Sequence, residues 1–258
     1  MRQFLFMDQE EKKRFYGSML FPGILLLIMW AVKSIEVGFH VSFADYGLEP
    51  QTLTGLRGII LSPFLHADWA HLSSNSVPLF LLTSALFYYY QKKAWSIFIL
   101  SWLITELWVW IFAKDSGIHI GASGLVYALA TFHFTGGILR REPRMMAFSL
   151  LVVFLYGGLV WGVSPIFFPG KNISWQSHLL GGIAGILLAF AFRSDGPQRK
   201  QYQWDDDGEE MEYIEEDFVE GKDESAAPTS SPNPTDANAP SNQPGINYVY
   251  KEKENLGL

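Results

Sequence analysis

The chain has 258 residues, of which 49% are hydrophobic and 17% charged, with a formal net charge of −7 and no cysteine. The lack of cysteine excludes disulfides, thiolate catalysis and cysteine metal sites, and a nucleic-acid partner is not expected of so acidic a chain. The acids gather after Arg193, around Asp205-Asp206-Asp207-Gly208-Glu209-Glu210, so the charge belongs to the C-terminal segment and the body is left with long uncharged runs.

Those runs approach the roughly 20 residues that a helix needs to cross a hydrocarbon core of about 30 Å. In lipid, the backbone must satisfy its polar groups internally, so such runs are read as helices. The expected fold is an all-α polytopic membrane protein, a bundle of six transmembrane helices. The spans run from Phe15 to about Val32, from Leu72 to Tyr90, and from Ala94 to Ala113 with Glu106 inside. They continue from about Ala122 to Leu139, from Met145 to Phe168 and from about Trp175 to Phe192. The domain reading is a cytoplasmic N-terminal segment over 1–14, a six-span core over 15–193 and an acidic, disordered tail over 194–258. The tail's acids and prolines cannot support a packed domain. Its scattered Tyr213, Ile214, Phe218 and Val219 could form a short helix that binds a cytoplasmic partner, but the favoured reading is a solvated tail.

Charge asymmetry orients the bundle. Lys12, Lys13 and Arg14, then Lys92 and Lys93, then Arg140, Arg141 and Arg144, and finally Arg193, Arg199 and Lys200 fall on one side. The other side has only the scattered Lys33, Arg57, Lys114 and Lys171. The positive-inside rule then places both termini in the cytoplasm, and the expected location is the bacterial inner membrane. The apolar run after Asp8–Arg14 is long enough to stay as an anchor, so no cleavable signal peptide is expected. The stretch from Lys33 to about Ala70 is rich in Phe, Leu, Ile and Trp, which predicts a compact element partly sunk in the membrane interface.

Chemistry begins with His66, His71 and His178 near the outer ends of spans. His71 and Asn75 are four apart and share a helix face. Together they can donate hydrogen bonds to an oxyanion, although spacing alone favours the more ordinary role of polar glue between helices. Ser123 lies in Gly121-Ala122-Ser123-Gly124 at the start of span four. The run lacks the last glycine of a nucleophile elbow, and no strand precedes it. At a helix N-terminus, however, free N–H groups surround the hydroxyl; the competing reading is a small residue that permits close packing. Gly124 and Ala128 on span four, and Gly181, Gly185 and Ala189 on span six, form small-residue stripes that let the two helices approach and bring Ser123 toward His178. Tyr127 lies one turn below Ser123 and can buttress that imidazole.

With these three motifs in this order, the region from Leu53 to Phe192 resembles the rhomboid intramembrane serine proteases. The resemblance implies Ser123 as nucleophile and His178 as general base, in a dyad without a carboxylate. His71, Asn75 and the Ser123 N–H would form the oxyanion site, Tyr127 would stack on His178, and His66 would have a structural or water-organising role. Gly121, Gly124, Gly181 and Gly185 would support this geometry. It further implies a single-pass transmembrane protein as substrate, cut near its outer end, with the lipid bilayer as medium. No metal or cofactor is called for. One departure is Leu56-Arg57, where the family often carries Trp-Arg.

Glu106 is expensive at membrane depth and a functional candidate by default, but the favoured readings are a pairing inside the bundle or a place nearer the helix end than drawn. His133 is read as a structural hydrogen-bonder. A non-catalytic rhomboid-like scaffold that binds transmembrane helices is the alternative to the protease. A transporter would show internal repeats and discontinuous helices in matching halves, and neither is visible.

Overall fold

The computed structural model describes residues 8–114, 117–155 and 174–197. Within them the regular structure is helical, joined by irregular loops and one isolated antiparallel bridge between Leu48 and His119. Among the described residues, six longer helices carry the architecture: α1 (Gln9–Phe39), α2 (Trp69–Tyr90), α3 (Ala94–Phe112), α4 (Ser123–Arg140), α5 (Pro143–Leu155) and α6 (Trp175–Ala191). Short helical turns between Ala44 and Phe64 fill the connection from α1 to α2. Span five beyond 155, Asp115, Lys171 and the tail from 198 lie outside the described residues.

Helix α1 is longer than the span drawn from hydropathy. Asp8 caps its start, with Oδ1 accepting from Glu11 N at 2.6 Å, and it ends where His40 turns left-handed at φ 53°. Hydropathy sees only the apolar middle, whereas the cap and a buried Lys33–Glu36 pair extend the helix into polar sequence. Lys33 is therefore a helical residue and does not begin the outer loop. Similarly, α2 starts at Trp69 because Asp68 Oδ1 accepts from His71 N at 2.7 Å, a side-chain N-cap. At Gln91 the chain leaves helical geometry with φ 30°, and α3 folds back onto α2.

The packing is inverted relative to a water-soluble protein. Small residues point inward: Gly181, Ala184, Gly185 and Ala189 of α6 are buried, while Leu187 and Phe190 are 53% and 50% exposed. On α1, Leu20 and Leu27 are 66% and 70% exposed. Apolar surface on this scale is rare on soluble monomers and fits a lipid-facing exterior. Among the described residues, the stretches Gln9–Phe39 and Trp69–Phe112 are long and apolar enough to cross a membrane. At about 1.5 Å per residue, the 18 residues of α4 reach nearly across a hydrocarbon core.

Helix α4 is the centre of the bundle. Most of its residues are buried, and it packs on α2, α3, α5 and α6. Its contact with α6 is backbone to backbone: a Cβ on Gly181 would strike the carbonyl of Gly124, and one on Gly185 would strike the carbonyl of Ala128 and the hydroxyl of Thr131. Thr131 Oγ1 also donates to Gly182 O across the interface at 2.9 Å. The connection from α1 to α2 is compact, as its apolar content implied. Trp102 Nε1 donates to Ile59 O and Trp110 Nε1 to Thr52 O, both at 2.9 Å, which fastens it to α3. Arg57 donates to Asp45 O at 2.7 Å and covers the ring of Tyr46.

Candidate active site

Close approach of α4 and α6 sets the site, because both helices present their functional residue in the first turn. Ser123 is the first residue of α4 and His178 the fourth of α6. His178 Nε2 lies 2.8 Å from Ser123 Oγ. Tyr127, one turn further along α4, stacks on the imidazole with ring centroids 4.3 Å apart and an interplanar angle of 16°. The N–H groups at the start of α4 have no intrahelical acceptor, so donors and a positive helix end surround the hydroxyl.

The other side of the site comes from α2. Gly121 has φ 106°, a conformation that favours glycine. A Cβ there would lie 2.7 Å from His71 Cε1, 2.8 Å from His71 Nε2 and 3.7 Å from Asn75 Nδ2. His71 and Asn75 thus face the loop that delivers Ser123. Asn75 Nδ2 donates one N–H to His71 O at 3.1 Å, which leaves its second N–H for another acceptor.

His66 is buried at 3% exposure, and its ring meets that of His71 with centroids 5.0 Å apart. Burial pushes its pKa down from 6.5 to about 3, and the neighbouring His71 and Lys33 push the same way. A histidine that is neutral when folded and protonates readily when unfolded gives stability that is complete above pH 6.5. That stability is lost as pH falls from 6.5 toward 3. The thermal midpoint is therefore expected to drop on acidification from pH 7 to pH 4, and His66→Gln should flatten that slope. An unchanged slope in His66→Gln would assign the acid sensitivity elsewhere. Asp68 does not share this window: its bond from His71 N holds its carboxyl below the usual value of 3.8, so its cap fails only at lower pH.

Glu106 is buried and accepts from Ser62 Oγ at 2.8 Å, which is the pairing inside the bundle that its position requires. His133 is likewise held within the helices, with Nε2 3.0 Å from Leu82 O.

Comparison with known proteins supplies the family. The Rhomboid domain model matches residues 54–195, more than half of the chain. The chain belongs to the rhomboid family. An uncharacterized protein of Mycobacterium tuberculosis (strain H37Rv) is 34% identical over 163 residues, which cover 60% of this chain and 65% of that protein's length. A Mycobacterium leprae protein, also uncharacterized, is 28% identical over 186 residues, covering 68% of this chain and 70% of its own. A Bacillus subtilis (strain 168) protein provisionally named as a rhomboid protease is 25% identical over 181 residues, covering 69% of this chain and 89% of its own. Membership makes the chain an integral membrane protein.

The rhomboid fold here also uses residues that sequence reasoning passed over. His119, two positions before Gly121, exchanges both backbone hydrogen bonds with Leu48 at 2.9 and 2.8 Å. Its Nδ1 contacts Ser174 Oγ, next to the start of α6. A histidine this close to the serine motif was the available signal. Ser62 had none, because its partners are distant in sequence, and the carbonyls that Lys33 holds are as remote from it, although its partner Glu36 is one turn away.

Proposed function

We propose that this rhomboid is a serine endopeptidase that hydrolyses peptide bonds in or near the transmembrane segments of membrane-protein substrates. The core over 15–193 would cross the bilayer six times with both termini cytoplasmic, and the segment from 194 on would be an accessory tail. The observation that carries the reading is the 2.8 Å contact between His178 Nε2 and Ser123 Oγ, with Tyr127 stacked behind the ring. A scaffold that only binds helices has no use for such a contact.

In this mechanism Ser123 Oγ attacks the scissile carbonyl carbon while its proton passes to His178 Nε2. The electron pair of the carbonyl moves to oxygen, and the resulting oxyanion is met by the Ser123 N–H, the His71 ring and the second N–H of Asn75 Nδ2. His178 then gives its proton to the leaving amine, so the C–N bond breaks and an acyl-enzyme remains. Water, deprotonated by the same imidazole, releases the acid and restores the hydroxyl. Stacking by Tyr127 keeps the ring at one angle through both proton transfers. No carboxylate is assigned a part, and Asp68 is engaged as the cap of α2.

The oxyanion assignment has its own test. Loss of one such donor costs about 100- to 1000-fold in turnover. Asn75→Ala and His71→Ala are each expected to lower kcat by that order on a model transmembrane substrate, with KM changed little. If both variants altered only KM, these side chains would belong to substrate docking.

A further inference from the structure

Lys33 and Glu106 are buried ionisable side chains without a part in the chemistry above, and they grip the same stretch of chain from opposite ends, Lys33 by its backbone and Glu106 by a side chain. Lys33 on α1 is 8% exposed. Its ammonium donates to Glu36 Oε2 at 3.2 Å and to the carbonyl oxygens of His66 and Ala67, each at 2.9 Å. All three of its N–H donors are thereby used. Glu36 Oε1 accepts in turn from Phe43 N at 2.7 Å, which fixes the pair from its other side. Glu106 on α3 is 3% exposed, and its Oε2 accepts from Ser62 Oγ at 2.8 Å. The carbonyl of that same Ser62 accepts from Gly121 N, also at 2.8 Å.

Burying an ionisable group costs several kcal/mol unless partners compensate, and at membrane depth such groups mark function by default. What the two groups hold gives the reason for keeping them. Two consecutive carbonyls on one ammonium fix the peptide planes after His66 and Ala67, immediately before Asp68 caps the helix that carries His71. The Ser62 carbonyl fixes Gly121 at φ 106°, two residues before Ser123. His71 packs against Gly121, so the circuit closes at the oxyanion site itself.

We infer that Ser62–Asp68 is a strap, clamped at one end by Lys33 and at the other by Glu106 through Ser62, which sets the spacing between the His71 ring and the first turn of α4. Lys33, Glu106 and Ser62 are then positioning residues for the proteolysis proposed above, on which this inference rests. Helix α1, which lies before the matched residues 54–195, becomes part of the support of the active site.

The test uses the full chain in detergent, with kcat and KM measured on a model transmembrane substrate and rates counted per site titrated by a fluorophosphonate, so that unfolded protein does not enter. A displacement of about 1 Å at a reacting centre can cost 100-fold. Lys33→Met should lower kcat about 10- to 100-fold with KM within about twofold. Lys33→Arg should restore most of the loss, because a guanidinium can donate to both carbonyls. Glu106→Leu should lower kcat similarly, with Glu106→Gln intermediate, since its amide oxygen still accepts from Ser62. Should Lys33→Met fail to fold, Ser62→Ala, which removes only a hydroxyl, must still show a lowered kcat. Wild-type kcat per titrated site in Lys33→Met, or in Ser62→Ala where that variant decides, would overturn the strap while leaving the protease standing. So would an effect on KM alone. A wild type inert toward both substrate and probe would overturn the protease reading first, and the strap with it.

Discussion

Ser123→Ala and His178→Ala are each expected to abolish detectable cleavage of a model transmembrane substrate while leaving the protein folded and inserted. Both changes remove polar atoms at the mouth of the bundle and leave the α4–α6 contact intact, since that contact rests on Gly124, Ala128, Gly181 and Gly185. A serine hydroxyl is a weak nucleophile without a base to take its proton, so loss of either partner removes the same step. The double variant should therefore be no worse than the singles, because residues that act as a unit give non-additive losses. Substantial turnover in either single variant, with product identity checked by mass spectrometry, would remove the dyad from the mechanism.

Gly181→Val and Gly185→Val are expected to cost both activity and stability. Overpacking a close-packed interior typically costs about 1–3 kcal/mol. Here the obstacles are the carbonyls of Gly124 and Ala128, which cannot rotate away as a side chain can. The helices must separate, and His178 moves off Ser123. Gly182→Ala is the internal control, because a Cβ at that position meets only Thr131 Cγ2 at an ordinary 3.7 Å. The thermal midpoint and kcat should fall together in the two valine variants and stay near wild type in Gly182→Ala. A stable, active Gly185→Val would show that the small-residue stripe does not set the dyad geometry.

The glycine stripes explain how much of this site could be read in advance. An interval of four residues repeated on two helices specifies which faces meet, and the backbone contacts at Gly181 and Gly185 are the consequence of that spacing. The pairing of His71 with Asn75 is local in the same sense, since one helical turn aligns them. Helix bounds were legible to within a few residues where apolar runs end at a turn, as at Tyr90 and Phe112. They were not legible where capping extends a helix into polar sequence, as Asp8 does. Single polar contacts between distant segments carry no such periodic signal. Lys33 reads as a stray outer charge until folding sets it against carbonyls more than thirty positions on, and Ser62 reads as an ordinary loop residue until Glu106 and Gly121 converge on it. Glu106 announced itself by its cost, but its partner could only be found in three dimensions.

The central claim is that Ser123 is a nucleophile activated by His178, and covalent labelling tests it without knowledge of the physiological substrate. The full chain in detergent is incubated with a fluorophosphonate, digested, and the adduct mapped by mass spectrometry. The account predicts a single adduct on the peptide that contains Ser123, lost in Ser123→Ala and slowed by orders of magnitude in His178→Ala. A folded wild type that takes no label at Ser123, or labels equally fast without His178, would contradict it.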